Sequence, residues 1–265
     1  MQKRTLLKLA SGAIPLALLH PYAAIPQVLD LNDAINKAGR QRMLSQRLVK
    51  SYMALGQKVQ PDSAEKVLSA SLALFDRQLV ELKAFAPSPE IRATYAQLEA
   101  RWGDYKAALI GTAPSKTSAE DVLKFAGQVL QLANQGTVQL EGVSGRPVGK
   151  LVNIAGRQRM LSQRMAALYL SASWGVQAGQ SVAEMAKART EFLSAHEVLK
   201  SAPEATAAIK AELLLAESQF AFFEVALKTL QPGQPNAQGQ ANVFTTSERI
   251  LQVMDGVTGM YSKLA

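Results

Sequence analysis

The sequence predicts an all-α protein, two tandem four-helix bundles facing each other as an intramolecular pseudo-dimer. Three observations predict it. Valine and isoleucine are scarce beside alanine, leucine and glutamine, a bias toward helix. Hydrophobic residues make up 48% of the chain and charged residues 19%, which is globular and not disordered composition. Most telling, Ala38-Gly39-Arg40-Gln41-Arg42-Met43-Leu44-Ser45-Gln46-Arg47 recurs letter for letter as Ala155-Gly156-Arg157-Gln158-Arg159-Met160-Leu161-Ser162-Gln163-Arg164. The same displacement aligns Asn36 with Asn153 and Tyr52 with Tyr169. Fainter echoes pair Ala64-Glu65 with Ala183-Glu184, Pro89-Glu90 with Pro203-Glu204, and Val129-Leu130-Gln131 with Ile250-Leu251-Gln252. One unit is duplicated, over 25–143 and 146–265.

Helix punctuation divides each unit into four. The first helix is expected over about 29–58, stopping before Pro61. Asp62-Ser63-Ala64-Glu65 has capping-box spacing and opens a second, ending near Pro87. Ser88-Pro89-Glu90 supplies a cap, a first-turn proline and an acid for a third, ending at Gly111. Thr117-Ser118-Ala119-Glu120 opens a fourth that fades at Gly142. The second unit is expected over 148–177, 181–201, 203–230 and 245–264, with 231–239 as its longest loop. Leu68, Leu72 and Phe75, like Phe220, Phe223 and Leu227, form apolar stripes that belong in bundle cores. Four antiparallel helices return the chain to its start. The short connector Gly142–Pro147 then sets the two first helices side by side and parallel.

Composition removes most chemistry. Cysteine is absent, which excludes disulfides, thiol nucleophiles and iron–sulfur clusters. Two histidines, His20 and His196, are too few for a histidine metal centre, so neither metal nor cofactor is expected. His196 reads as a surface residue. Ser45 and Ser162 have no base at helical spacing, so no catalytic residue is assigned and no enzyme is expected. Met1–Ala24 carries Lys3, Arg4 and Lys8 ahead of an apolar run too short to span a bilayer, which reads as a secretory signal. Lys3-Arg4-Thr5-Leu6-Leu7-Lys8 resembles a twin-arginine export signal with lysine in the first arginine's place. The remainder is only mildly basic and has no long apolar run, so neither nucleic acid nor a membrane span is expected.

At 100° per residue, Gly39, Arg42, Met43 and Gln46 share one stripe of the first helix, opposite Leu44 and Leu48. A glycine at its centre invites close helix approach, and a buried arginine beside it needs a carboxylate, carbonyl acceptors or an anion. Two guanidinium charges about 6 Å apart at an effective dielectric of about 20 repel by roughly 3 kcal/mol. Neither copy of the decapeptide contains a carboxylate. A small planar oxyanion between Arg42 and Arg159 would convert repulsion into charge-assisted hydrogen bonds. The alternative is pairing with acids elsewhere, such as Asp76 or Glu99.

Asn36-Lys37-Ala38-Gly39-x-x-Arg42-Met43-x-Ser45-x-Arg47 resembles the P-box of the sensor domains of NarX/NarQ-type nitrate/nitrite kinases and of PilJ-type chemotaxis transducers. The resemblance implies a four-helix bundle that dimerises and grips one nitrate between two P-box arginines. Carried onto this sequence, it implies Arg42 and Arg159 as anion ligands, Gly39 and Gly156 as the close-approach pair, and Met43 and Met160 flanking the anion. Asn36, Asn153, Ser45, Ser162, Gln46, Gln163, Arg47 and Arg164 would surround that site. The lysine matching Lys37 is lost in the second copy, where Ile154 stands. The expected function is a periplasmic nitrate- or nitrite-binding sensor module that signals through a separate periplasmic or membrane signalling or transport protein. A second reading is an interaction protein whose duplicated arginine stripe docks on an acidic partner.

Overall fold

The computed structural model describes residues 27–264. The expected export signal, Met1–Ala24, lies outside the described residues. Among these residues there are eight helices and no strand: α1 (Leu31–Gly56), α2 (Pro61–Phe85), α3 (Pro89–Ile110), α4 (Lys116–Ser144), α5 (Pro147–Trp174), α6 (Ala178–Ser201), α7 (Ala207–Leu227) and α8 (Ala237–Ser262). In the first repeat α1 packs on α2 and α4, and α3 on α4; in the second α5 packs on α6 and α8, and α7 on α8.

Several helix starts differ from the sequence expectation. The Asp62–Glu65 box is unused, because α2 opens at Pro61, whose fixed φ suits the first helical position, after a turn with Lys58 and Gln60 at positive φ. The box that opens α4 is Ser115 with Ser118, two residues before Thr117. Pro203 stays in the turn, and Thr206 caps α7 through the Ile209 amide. Asn236 caps Gly239, so α8 begins inside the expected loop 231–239 and gains two turns. The third-helix cap is as expected: Ser88 accepts from the Ile91 amide, with Pro89 following.

The apolar stripes close each bundle. Phe75 stacks on Trp102 at 3.9 Å between ring centroids, and Phe192 on Phe220 at 4.3 Å. Gln41 donates to the Phe75 carbonyl and Gln158 to that of Phe192, the same bond in both repeats. His196 is not a surface residue. It is buried against Phe192, its ring nitrogens have no hydrogen-bond partner, and burial lowers its pKa.

The largest contact in the molecule joins the repeats through α1 and α5. These helices run parallel, because partners keep register from end to end. Ile35 approaches Gly149, Gly39 meets Gly156, and Gln57 donates to the Leu170 carbonyl. At the far end the Trp174 indole lies over Gly56, where a Cβ would stand only 2.1 Å from Cη2. Gly56→Ala should therefore cost about 1–3 kcal/mol in urea unfolding by overpacking. Combining it with Trp174→Leu should recover most of the loss; an unchanged single variant would refute this packing.

Candidate functional site

Gly39 and Gly156 let the backbones of α1 and α5 come together: a Cβ on Gly39 would lie 3.6 Å from the Gly156 Cα. The same Cβ position lies 3.3 Å from Arg42 Nη2 and 3.4 Å from Arg159 Nη2. Two guanidinium groups thus converge on the glycine pair, both 0% exposed. Each reaches across the seam. Arg42 Nη2 donates to the Asn153 carbonyl (3.1 Å), and Arg159 Nη2 to the Asn36 carbonyl (3.0 Å). This exchange is what the repeat alignment of Asn36 with Asn153 requires.

The second nitrogen of each arginine breaks the symmetry. Arg42 Nη1 donates to the Asn134 amide oxygen at 2.9 Å, and Arg159 Nη1 donates to the Asp255 carboxylate. Asn134 on α4 and Asp255 on α8 occupy matching places in the two repeats. Asp255 also accepts from Arg40 at 2.7 Å, and its pKa is held below the usual carboxylate range by Arg159 and Arg40 despite burial. Arg42 has no such partner. Burial, with the charges of Arg157 and Arg159, lowers its pKa to about 9; burial lowers that of Arg159 to about 10 against the pull of Asp255. Both remain charged at neutral pH. In each, the Nε–H is buried without an acceptor, a defect worth about 1–3 kcal/mol apiece.

Other expected site residues support this pair from around it. Ser45 and Ser162 donate to the carbonyls of Arg42 and Arg159 three residues back, within their own helices. Gln163 donates to the Ser247 carbonyl, and Gln46 to Ser45. The Asn153 amide bridges Arg42 to Glu141, while the Asn36 Oδ1 has no partner. Arg47 lies away from the pair: with Lys50 it holds Glu248 on α8. Arg164 contacts Glu184 at 3.2 Å and Gln46 at 3.4 Å. Asp76 and Glu99 serve Lys106 and Lys83, not the buried arginines. Lys37, the residue without a counterpart, pairs with Glu81 and Asp33.

Met43 and Met160 line two repeat-related surface pockets. One, about 280 Å³ between α4 and α5, is walled by Asn134, Arg157, Met160 and Arg164; no acid lines it, but Glu191 pairs with Arg157 and Glu184 with Arg164 from α6. Its counterpart, about 440 Å³ between α1 and α8, holds Arg40, Met43 and Arg47 but also Asp255 and Glu248. Each pocket thus reaches the residue that hydrogen-bonds a buried arginine. Sequence reasoning missed Asn134, Asp255, Arg40 and Arg157 as members of this constellation. The signal was present, since extending Val129-Leu130-Gln131 against Ile250-Leu251-Gln252 by three residues aligns Asn134 with Asp255.

Residues 25–133 and 144–244 each match the PilJ family, the N-terminal domain of type IV pili methyl-accepting chemotaxis transducers. The chain belongs to the PilJ family. It carries the domain in two segments, consistent with tandem copies, and PilJ N-terminal domains are extracellular or periplasmic sensor domains. No match is found among curated proteins or among solved structures. Among the described residues, no helix of this PilJ protein is long and apolar enough to cross a membrane. No three acidic, histidine or cysteine side chains are grouped there to hold a metal ion.

The two halves of the site respond oppositely to charge. Asp255→Asn strips the buried Arg159 of its carboxylate and should cost about 1–3 kcal/mol, less than for a wholly buried pair because Asp255 is part-exposed. Asn134→Asp gives Arg42 the carboxylate it lacks and should raise the melting temperature. Chemical denaturation of the two variants measures both signs, and a common sign would contradict the asymmetry.

Acid should act through Glu248. Burial would raise its pKa, but Lys50 and Arg47 outweigh that and bring it to about 2. A carboxylate depressed on folding stabilises above its unfolded pKa of about 4.5, and that stability is lost as pH falls toward 2. Lys50 points the other way, since burial lowers its pKa to about 8 and its charge is a cost the pair only offsets in part. Of these two groups, only the Glu248 carboxylate titrates between pH 4.5 and 2. Glu248→Gln should therefore flatten the fall of melting temperature across that window.

Proposed function

We propose that this protein is a periplasmic, non-enzymatic sensor module that holds one nitrate or nitrite ion between Arg42 and Arg159 and relays occupancy to a separate signalling or transport protein. One observation carries the reading. Two buried guanidinium groups converge across the Gly39–Gly156 contact, each with an Nε–H that no protein atom accepts. A planar anion can take those donors while the Asn36 and Asn153 carbonyls keep theirs. Family membership and the P-box resemblance support the same reading.

Charge supports a monovalent ligand. Asp255 already offsets Arg159, and one further negative charge answers Arg42. The acid-free pocket beside Asn134 is the favourable approach, because Arg157 and Arg164 line it. An acidic partner docking on the arginine stripe is the weaker reading, since Arg42 and Arg159 lie inside the seam and offer no surface.

Nitrate or nitrite at a hundredfold excess over Kd should stabilise the fold by about 2.7 kcal/mol. Arg42→Met keeps the bulk and deletes the uncompensated charge. It should abolish that gain while leaving the empty protein as stable as before or more so, as replacement of buried ions by apolar groups often does. Arg47→Ala should lower stability through Glu248 yet leave anion affinity near its original value. Identical melting curves with and without millimolar nitrate and nitrite, at constant ionic strength, would end the proposal.

A further inference from the structure

The duplication provides an internal control for every position of the fold. On one side of the seam Arg47, which also lines the surface pocket of about 440 Å³, meets side chains that fill the corner beside Lys50. Glu248 accepts from Arg47 Nε at 3.0 Å and from Lys50 Nζ at 2.5 Å, Ser247 accepts from Lys50 at 3.1 Å, and the Lys50 ammonium lies 4.4 Å over the Phe244 ring. A carboxylate, an ammonium, a hydroxyl and a ring occupy this corner.

On the other side the register that matches Asn134 with Asp255 puts Gly127 opposite Glu248, Ala126 opposite Ser247 and Leu123 opposite Phe244. The shift that relates α1 to α5 puts Ala167 in place of Lys50. Each of the four side chains that fills the first corner is replaced by a smaller one. What is kept is the cation, Arg164 in place of Arg47.

The result is a cavity of about 340 Å³, the lower end of the range for small-molecule sites. Its wall includes Gln46, Lys124, Gly127, Arg164, Ala167 and Glu184. A Cβ on Gly127 would meet nothing within 4 Å, so the room left by the missing glutamate is open. Arg164, which Glu184 already meets at 3.2 Å, and Lys124 supply two cations against that one carboxylate, which leaves the cavity net positive; Ala167 and Leu168 make its buried apolar side.

From this we infer that the corner between α4, α5 and α6 is a second binding site, for a small organic carboxylate that takes the place of Glu248 against Arg164. An amino group on the same molecule would occupy the space of the Lys50 ammonium and face Glu184. Arg42 and Arg159 do not line this cavity, and the inference does not rest on the nitrate reading.

Calorimetric titration of the whole protein with acetate, succinate and glutamate, at constant ionic strength in chloride, tests it. At least one of the three should bind saturably. Tighter glutamate than succinate marks use of the amino group, and the reverse marks a plain acid. Gly127→Glu installs the missing carboxylate from within and should weaken binding at least tenfold, as should Arg164→Gln, while Arg42→Met leaves it unchanged. If Gly127→Glu alone folds poorly, Gly127→Glu with Ala167→Lys rebuilds the ion pair of the other corner and should fold and still refuse the ligand. Absence of binding by all three acids, or undiminished binding to the filled variants, overturns the inference.

Discussion

Everything in this molecule is arranged around two like charges buried at one helix crossing. Arg42 and Arg159 face each other where Gly39 and Gly156 bring α1 and α5 together, in a place where isolated charges are disfavoured by several kcal/mol. The protein meets this cost with polar groups it must hold still. Each arginine takes the main-chain carbonyl of the facing asparagine, which fixes the register of α1 against α5. Asn134 and Asp255 then tie α4 and α8 to the same point. The outer helices α2, α3, α6 and α7 complete the bundles with aromatic stacks. The polar centre sets how the repeats meet, and the apolar cores keep each repeat folded.

Divergence between the copies has a direction. The exact decapeptide preserves the crossing itself, glycine and arginine together. Around it the substitutions change charge: asparagine against aspartate at 134 and 255, lysine against isoleucine at 37 and 154, glycine against glutamate at 127 and 248. Their combined effect puts Asp255 and Glu248 in the wall of the pocket on the α1–α8 side, while the pockets on the α4–α5 side are lined by Arg157 and Arg164, which Glu191 and Glu184 pair from α6. An anion approaching along the α4–α5 side meets Arg157 and Arg164; along the α1–α8 side it meets Asp255 and Glu248 as well.

Much of this was legible from sequence for physical reasons. The helical bias, the proline and glycine punctuation and the repeat specify an all-helical duplicated chain, and the glycine-centred stripe identifies which faces meet. Local capping was read less well. Ser115 outcompetes Thr117, Pro61 sets the start of α2 without a side-chain cap, and Asn236 starts α8 inside a segment rich in proline and glycine. Such choices depend on which cap a packed helix can reach, and motif spacing does not contain that. Asp255 stayed hidden for another reason. Its bond to Arg159 joins positions far apart in the chain, through a helix whose echo of the first copy had faded to three residues.

Covalent fusion is what permits the asymmetry. In a homodimer a single substitution appears in both halves, so an aspartate that neutralises one arginine would neutralise the other and remove the excess charge. With both halves on one chain, Asp255 can stabilise Arg159 while Asn134 leaves Arg42 uncompensated. Linkage also replaces a second-order association with an intramolecular one, so the arginine pair forms whatever the protein concentration. The same freedom acts at the corner of Arg47 and Arg164. A glutamate there in both copies would fill both corners, and a glycine in both would leave two buried or half-buried arginines without an internal partner on α4 or α8. One of each keeps the seam anchored on the α8 side and a cavity open on the α4 side, an outcome available to two halves at separate positions of one sequence and closed to a homodimer.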